Sequence, residues 1–341
     1  MAVQKGQFPE DKGIKMSWKP SANLKELKQR AKILQAIRHF FITRGLLEVE
    51  TPVLSQAGVT DVHLFCFKTH FIGPQISTSQ PSEQGCPLYL QTSPEFHMKR
   101  LLSAGSGSIF QISKVFRNEE SGRFHNPEFT LLEWYRVGFD HFRLMDEMDQ
   151  LLQFILKSEP ARRCTYQNAF LEVLAVDPLT ASLEQLKTSG KKLNLEEVLS
   201  EETDRDTVLQ LLFCIAIEPV IAQHKPCFIY NFPASQAALA RISPADKRVA
   251  ERFEVYFQGI ELANGFHELS DGQEQLERFQ ADNSLRSQKG LAQMPIDDNF
   301  ISSLASLPDC AGVALGVDRL VMLACDKKHI NDVISFTIKG A

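Results

Sequence analysis

Between Phe116 and Tyr135 the chain reads FRNEESGRFHNPEFTLLEWY, a stretch that sets a guanidinium, carboxylates, an imidazole, flat aromatic rings and a phenol close together. Arg117 offers a rigid donor fork suited to phosphate oxygens, and Glu119, Glu133 and Tyr135 supply two carboxylates and a phenol. A second stretch, RFEVYFQGIELA, carries Glu254 and Glu261 on either side of Gln258-Gly259, with Glu268 seven residues further on. A third, GVALGVDRL, places Gly312, Gly316 and Arg319 just before an apolar helical run. Cations that grip phosphate, beside carboxylates that hold a metal ion or a cationic substrate, are one chemistry such residues can do.

Strands and turns must position these groups. Phe110, Ile112 and the Val115-Phe116 pair read as one strand, and Phe129, Leu131 and Tyr135 as a returning one. Gly122, Asn126 and Pro127 punctuate the loop between them. Alternation predicts Arg117 and Glu119 on one face, and Phe129, Leu131, Glu133 and Tyr135 on one face. A salt-bridged, solvated sheet face fits the same pattern. Gln258-Gly259 suits a two-residue hairpin loop, pairing residue 257 with 260 and 256 with 261. Glu254 and Glu261 then share a face as diagonal neighbours. Carboxylates that close repel unless a cation lies between them or one takes a proton. Mg²⁺ takes one or two carboxylates plus substrate phosphates, and a pair of exposed acids on a wet edge is the alternative.

Elsewhere, Leu27, Ala31, Leu34, Ile37 and Phe41 recur at helical spacing over 24–44, and Gly45 follows as a C′ residue. Leu47 to Leu54 reads as a strand interrupted by Pro52, which suits an edge or an interface. Ser93-Pro94-Glu95 opens a helix, with Ser93 as cap and Pro94 first in the helix. Residues 1–20 read as a flexible leader and 73–87 as a Gly/Ser/Pro-rich loop. A helical insertion over about 141–224 is expected to pack outside the sheet, and 226–233 to return as a buried strand.

The chain has 341 residues and a formal charge of -5, with seven cysteines that show no C-x-x-C pairing. That usage favours a reduced, cytoplasmic protein over disulfides or a cysteine zinc site. No apolar run approaches the ~20 residues of a membrane span. Residues 1–44 hold ten Lys or Arg against three acids, so the remainder carries about -12. A protein that lives by gripping a phosphate backbone shows a stronger basic footprint.

The Phe116–Tyr135 stretch resembles motif 2 of the class II aminoacyl-tRNA synthetases, lysyl branch, in Phe116-Arg117-Asn118-Glu119, His125-Asn126-Pro127-Glu128-Phe129 and Glu133-Trp134-Tyr135. The helix, Gly45, strand and Pro52 order is similar to motif 1, and Gly312 to Leu320 to motif 3. The resemblance implies an α+β fold, an antiparallel sheet flanked by helices, with a homodimer formed through the Pro52 region. It implies ATP and Mg²⁺ as cofactors. Arg117 would hold the α-phosphate and Arg319 would stack over adenine opposite Phe129. Asn118, Glu119, Asn126, Leu262 and Gly316 would line the nucleotide site, with His125 near the outer phosphates and Glu254 and Glu261 on magnesium. Ser93, Pro94, Glu95, Glu133, Tyr135, Glu268 and Ala314 would form the amino-acid pocket, with Glu268 receiving an ε-ammonium.

Two features depart from the lysyl-tRNA synthetases. Motif 1 begins within fifty residues of Met1, which leaves no room for their N-terminal anticodon-reading OB-fold. Ala314 stands where they usually have glycine, and one methyl shifts selectivity by ~1–3 kcal/mol. Such a stand-alone domain resembles the enzymes that join lysine or (R)-β-lysine to a lysine side chain of elongation factor P, with no tRNA and no membrane involved. A tRNA-charging enzyme and a non-catalytic, synthetase-like regulatory subunit are the competing expectations.

Overall fold

The computed structural model describes residues 18–73 and 85–341, so all but the last three residues of the expected leader and most of the 73–87 loop lie outside the described residues. In chain order the elements are helix α1 (Leu24–Ile42), strands β1 (Leu47–Glu48), β2 (Leu54–Ser55), β3 (Lys68–Phe71) and β4 (Cys86–Leu90), and helix α2 (Glu95–Ser103). The long strands β5 (Ile109–Phe116) and β6 (Glu128–Val137) follow, then helix α3 (His141–Leu156) and strand β7 (Arg162–Thr165). Next come helices α4 (Tyr166–Leu174), α5 (Leu183–Lys191), α6 (Glu196–Ser200), α7 (Arg205–Leu212) and α8 (Glu218–Ile221). Strands β8 (Cys227–Pro233), β9 (Val249–Phe257) and β10 (Ile260–His267), helices α9 (Gly272–Gln288) and α10 (Asp298–Ser303), strand β11 (Cys310–Gly316) and helix α11 (Val317–Ala324) complete the chain.

Eight strands form one sheet in the order β1-β5-β6-β11-β10-β9-β8-β7, and β2-β4-β3 form a small second sheet. Pairing is antiparallel from β5 across to β8 and parallel only at the two edges, β1 with β5 and β7 with β8. The expected α+β architecture is therefore what the chain adopts. Alternation divides the sheet into two unlike faces. The back face carries Phe110, Leu132, Trp134, Phe253, Val255, Ala263, Val313 and Leu315, which merge with apolar residues of α1, α3 and α11 into the main core. The front face carries Gln111, Glu133, Ala314, Asn264 and Glu254 in one register row across five strands.

Several local expectations need correction. On α1 the buried stripe is Ile33, Ile37, Phe40 and Phe41 with Glu26, while Ala31 faces solvent. The helix is turned because its acidic and basic residues also find partners, Glu26 with half-buried Lys327 and Arg30 with buried Asp318. Pro52 does not sit inside a strand. It separates β1, at the edge of the large sheet, from β2 in the small one, as expected of a residue that cannot donate to a ladder. Helix α3 is not part of the insertion, since Leu144, Met145, Met148, Leu151 and Leu152 are fully buried in the main core. The insertion proper begins after β7, itself an edge strand of the large sheet, and has its own core around Tyr166, Phe170, Leu209 and Phe213.

Arg30 ties three elements together. Its Nη1 lies 2.5 Å from Asp318 Oδ1 and its Nη2 donates to Thr130 Oγ1 at 2.8 Å, while Asp318 Oδ2 accepts from the Thr130 amide at 2.8 Å. Arg30→Ala leaves the buried Asp318 carboxylate without its cation and is expected to cost about 3–5 kcal/mol. A urea denaturation series measures this as a lowered midpoint at unchanged slope.

Candidate active site

The front face floors a cleft of about 1230 Å³, larger than the usual small-molecule pocket of ~300–1,000 Å³. Its chemistry is graded from one end to the other. Phe129 and Glu133 stand four residues apart on β6, hence ~13 Å apart at strand rise, and mark a cationic end and an acidic end.

At the cationic end, β5 stops at Phe116, and the Arg117 amide adds one last bond to the Pro127 carbonyl at 2.9 Å. The Arg117 guanidinium lies 5.2 Å from the centre of the Phe129 ring, and its Nη1 is 3.6 Å from Glu120 Oε1. Its Nε is buried without a hydrogen-bond partner, a donor poised for an anion. Arg319, in the first turn of α11, donates from Nη1 to the Glu261 carbonyl at 2.6 Å and meets His125 Nε2 through Nη2 at 2.6 Å. A guanidinium has donors only, so His125 Nε2 accepts and the proton of the neutral ring is on Nδ1. Burial, then the charge of Arg319, pulls His125 below the usual imidazole range.

Midway lie the hairpin acids. Gln258 and Gly259 both take positive φ, 53° and 70°, the combination a tight two-residue hairpin needs. The register 257–260 and 256–261 is the expected one, with a bulge between Glu261 and Ala263. Glu254 is buried and accepts from Arg252 and from the Tyr256 hydroxyl. Burial pushes it up against the pull of Arg252, and the Glu261 charge adds to the rise. Glu218 is a third carboxyl in the cleft, pushed up to about 7 by burial and then by Glu261 and Glu254. It opens α8 directly after a π-helical turn, Phe213–Ile217. Three mutually repelling carboxyls in one cleft with Arg117, whose Nε is unpartnered, are a donor set that fits magnesium.

At the acidic end the Ser93 hydroxyl donates to Glu133 Oε2 at 2.7 Å while accepting from the Glu95 amide at 3.1 Å, and the Tyr135 hydroxyl donates to Glu133 Oε1 at 2.6 Å. Lys99, fully buried, places Nζ 2.7 Å from Glu95 Oε1 and 2.6 Å from Glu268 Oε2. Burial first, then Glu95, raises Glu133 to about 7. Burial likewise raises Glu268 to about 8, even with the Lys99 ammonium drawing it down. Gly312 leaves space for this arrangement, because a Cβ there would lie 2.3 Å from the Tyr135 ring and 2.5 Å from Glu268 Oε1.

Of the residues singled out from the sequence, Ser93, Glu95, Arg117, His125, Asn126, Phe129, Glu254, Glu261, Leu262, Ala314, Gly316 and Arg319 line this cleft. Glu133, Tyr135 and Glu268 are buried around the acid end. Asn126 spends its own groups internally, donating to the Glu128 carbonyl at 2.6 Å and accepting from the Ile338 amide at 3.0 Å. Pro94, not Ser93, is the N-cap residue of α2. Asn118 and Glu119 are not brought to the cleft. The strand has ended, Asn118 pairs with Phe65, and Glu119 turns to a φ of 70°, so strand alternation no longer applies. Glu120 lines the cleft beside Arg117 instead. Lys99 and Glu218 were not singled out. Lys99, one turn after Glu95 on the same helix face, carried the local signal, whereas Glu218 had none.

Residues 14–339 match the family model for tRNA synthetases class II (D, K and N). The chain belongs to this family. A protein of Vibrio atlanticus (strain LGP32) named elongation factor P--(R)-beta-lysine ligase is 61% identical over 321 residues, 94% of this chain and 98% of that protein. Proteins of the same name from Vibrio cholerae serotype O1 and Salmonella typhi are 60% and 58% identical, each alignment covering 95% of this chain and 98% of the relative. Within this class II frame the three motif stretches read from the sequence fall on β1 and α1, on β5 and β6, and on β11 and α11.

The raised acids give the acidic end a pH signature. Below their folded-state values of about 7 and about 8, Glu133 and Glu268 are protonated and do not attract a cation. They must ionise to hold one, so affinity for a cationic amino acid is expected to rise from pH 6 to pH 8.5 with release of protons. The gain is roughly tenfold per unit for each proton released. Isothermal titration with lysine in buffers of different ionisation enthalpy measures both quantities.

Proposed function

We propose that this chain activates (R)-β-lysine, or lysine, with ATP as an aminoacyl-adenylate and transfers it to the ε-amino group of a lysine on elongation factor P. The observation that carries the proposal is the single cleft that joins a buried, unpartnered Arg117 Nε to a buried acid well built on Glu133, Tyr135 and Glu268. Class II membership supports ATP as the activating substrate. The name shared by near-full-length relatives supports β-lysine and elongation factor P as acceptor pair.

In the first step Arg117 holds the α-phosphate and the acid well holds the amino-acid ammonium. A substrate carboxylate oxygen attacks the α-phosphorus in line, the bond to the β-phosphate oxygen breaks, and pyrophosphate leaves past His125 and Arg319. Glu254 and Glu261, with Glu218 beside them, would hold magnesium, which when bound supplies charge neutralisation at the phosphates. In the second step the uncharged acceptor amine attacks the acyl carbonyl, the carbon–oxygen bond to AMP breaks, and the amine proton is lost as the amide forms. Positioning dominates both steps, which suits a site whose basic groups are preorganised by their neighbours. Ala314, at the floor between Glu133 and Asn264, adds a methyl where it can select the shape of the amino acid.

Exposed Ile42, Leu47, Val53 and Leu54 around Pro52 support a homodimer through this region as part of the same proposal. Seven free cysteines support a reducing, cytoplasmic setting. No helix among the described residues is long and apolar enough to cross a membrane.

Arg117→Ala is expected to lower lysine-dependent ATP–pyrophosphate exchange by at least ~10²–10³-fold while leaving the urea midpoint unchanged. Near-normal exchange in that variant contradicts the assignment. Incubation with ATP, magnesium, β-lysine and elongation factor P, read by intact mass, is expected to add one β-lysyl group. Charging of tRNA with no modified elongation factor P overturns the proposed acceptor.

A further inference from the structure

On the back of the sheet, away from the cleft, three metal-ligating side chains converge where β9, β10 and α3 meet. His141 is the first residue of α3, Glu251 lies early in β9 and His267 ends β10. One ligand atom from each lies within 4.8 Å of the other two, and the three residues are only 3%, 8% and 2% exposed.

The hydrogen bonding of this cluster is incomplete. Neither ring nitrogen of His141 has a hydrogen-bond partner. His267 Nε2 lies 3.0 Å from Asp309 Oδ1, the geometry of an N–H donated to a carboxylate. Its Nδ1 lies 2.8 Å from Glu251 Oε2, so both ring nitrogens face carboxylates. In the tautomer with the proton on Nε2, the Nδ1 lone pair and the Glu251 oxygen are two acceptors in contact, and the Arg241 guanidinium, 2.6 Å from that oxygen, is the cation that answers them in this structure. A neutral imidazole has a lone pair on one ring nitrogen to give, and nothing in the surrounding protein takes that of His141.

We propose that His141, Glu251 and His267 form a binding site for a divalent transition-metal ion of the zinc type, distinct from the magnesium-binding acids of the cleft. Two imidazoles and one carboxylate are a borderline donor set that suits zinc and disfavours magnesium, which takes oxygen. Metal–ligand bonds of ~2.0–2.2 Å bring such ligand atoms within ~3.5 Å of one another, so small side-chain rotations close the set. Asp309, on the far nitrogen of His267, is the outer carboxylate that commonly fixes the tautomer of a ligating histidine. Arg241 stands at the rim, 2.6 Å from Glu251 Oε2 and 3.3 Å from Asp309 Oδ1, and is the group an incoming ion displaces from Glu251. An ion here would staple α3 to the two strands that bear Glu254 and Glu261. A second proton on His267 is the rival way to meet the same carboxylates.

The test uses full-length protein dialysed against a chelator and titrated with Zn²⁺ in competition with a chromogenic zinc indicator, and separately with Co²⁺. One tight equivalent is expected, with Co²⁺ giving the visible absorption of a four- or five-coordinate site. His141→Leu is expected to weaken that equivalent by at least about 100-fold, and Asp309→Asn by roughly 10–100-fold. Glu254→Gln with Glu261→Gln leaves it unchanged. Zinc is expected to raise the melting temperature of the unaltered protein and not that of His141→Leu. Unaltered protein that binds no zinc at micromolar concentration and gives no Co²⁺ absorption overturns the site in favour of the protonated histidine. So does a tight equivalent that survives in His141→Leu.

Discussion

Repulsion among buried carboxylates dominates the front face of this sheet. Glu133, Glu254 and Glu268 lie out of water near further acids from the flanking helices, and each is raised above the ordinary carboxyl range by burial. An apolar core on the other side of the same strands meets the cost of holding them there. The chain answers the repulsion locally with fixed cations and hydroxyls: Lys99 between Glu95 and Glu268, Arg252 and Tyr256 on Glu254, Ser93 and Tyr135 on Glu133. What remains is a cleft whose unmet charge favours cationic ligands at one end, while Arg117 and Arg319 favour anions at the other. The order of those charges along β6 and β10 constrains how a nucleotide and a cationic amino acid could lie together.

Much of this was legible from residue types and spacing because the informative groups sit within short, regular stretches. The β5–β6 pair, the two-residue hairpin at Gln258-Gly259 and the strand-to-helix step at Gly316 are all local structures. Turn chemistry and alternation specify them. The fold class followed from the resemblance that those stretches bear to the class II synthetases, not from periodicity. Local pattern failed where a distant partner decides the outcome. The buried side of α1 is set by Lys327 and Asp318, some three hundred residues away, as much as by its own apolar spacing. Helix α3 looks like part of a helical run, yet it closes the main core beneath Trp134, whose indole N–H donates to Glu147 Oε2 at 3.1 Å. Glu218 reaches the cleft only because the insertion folds back over β9.

Glu119 failed for a different reason. Alternation holds only while the chain remains a strand, and the ladder ends one residue after Phe116. A positive φ at Glu119 then re-aims the next side chains, so Glu120 faces the cleft. One residue at a strand end is enough to exchange one acid for its neighbour, and no periodicity argument locates such an end to that accuracy.

The bulge in β10 shows the same sensitivity put to use. Glu261 and Glu268 are seven residues apart, an odd separation that unbroken alternation would assign to opposite faces. The register shift between Glu261 and Ala263 adds one residue to β10 relative to β9, pairing Asn264 rather than Ala263 with Glu254. Leu262 absorbs the slip, so Glu261 faces the cleft before the bulge, and Asn264, Phe266 and Glu268 face it afterwards. The same slip sends Ala263, Gly265 and His267 to the back, where Gly265 lies against Phe253 with no room for a side chain and His267 joins His141 and Glu251. A bulge is a common device for re-aiming side chains beside an active site. Here one extra residue brings hairpin acid and pocket acid onto one surface and sets the histidine cluster on the other. Deleting it would exchange the two faces for every residue beyond Leu262, so the acidic cleft and the histidine cluster behind it depend on the same backbone irregularity.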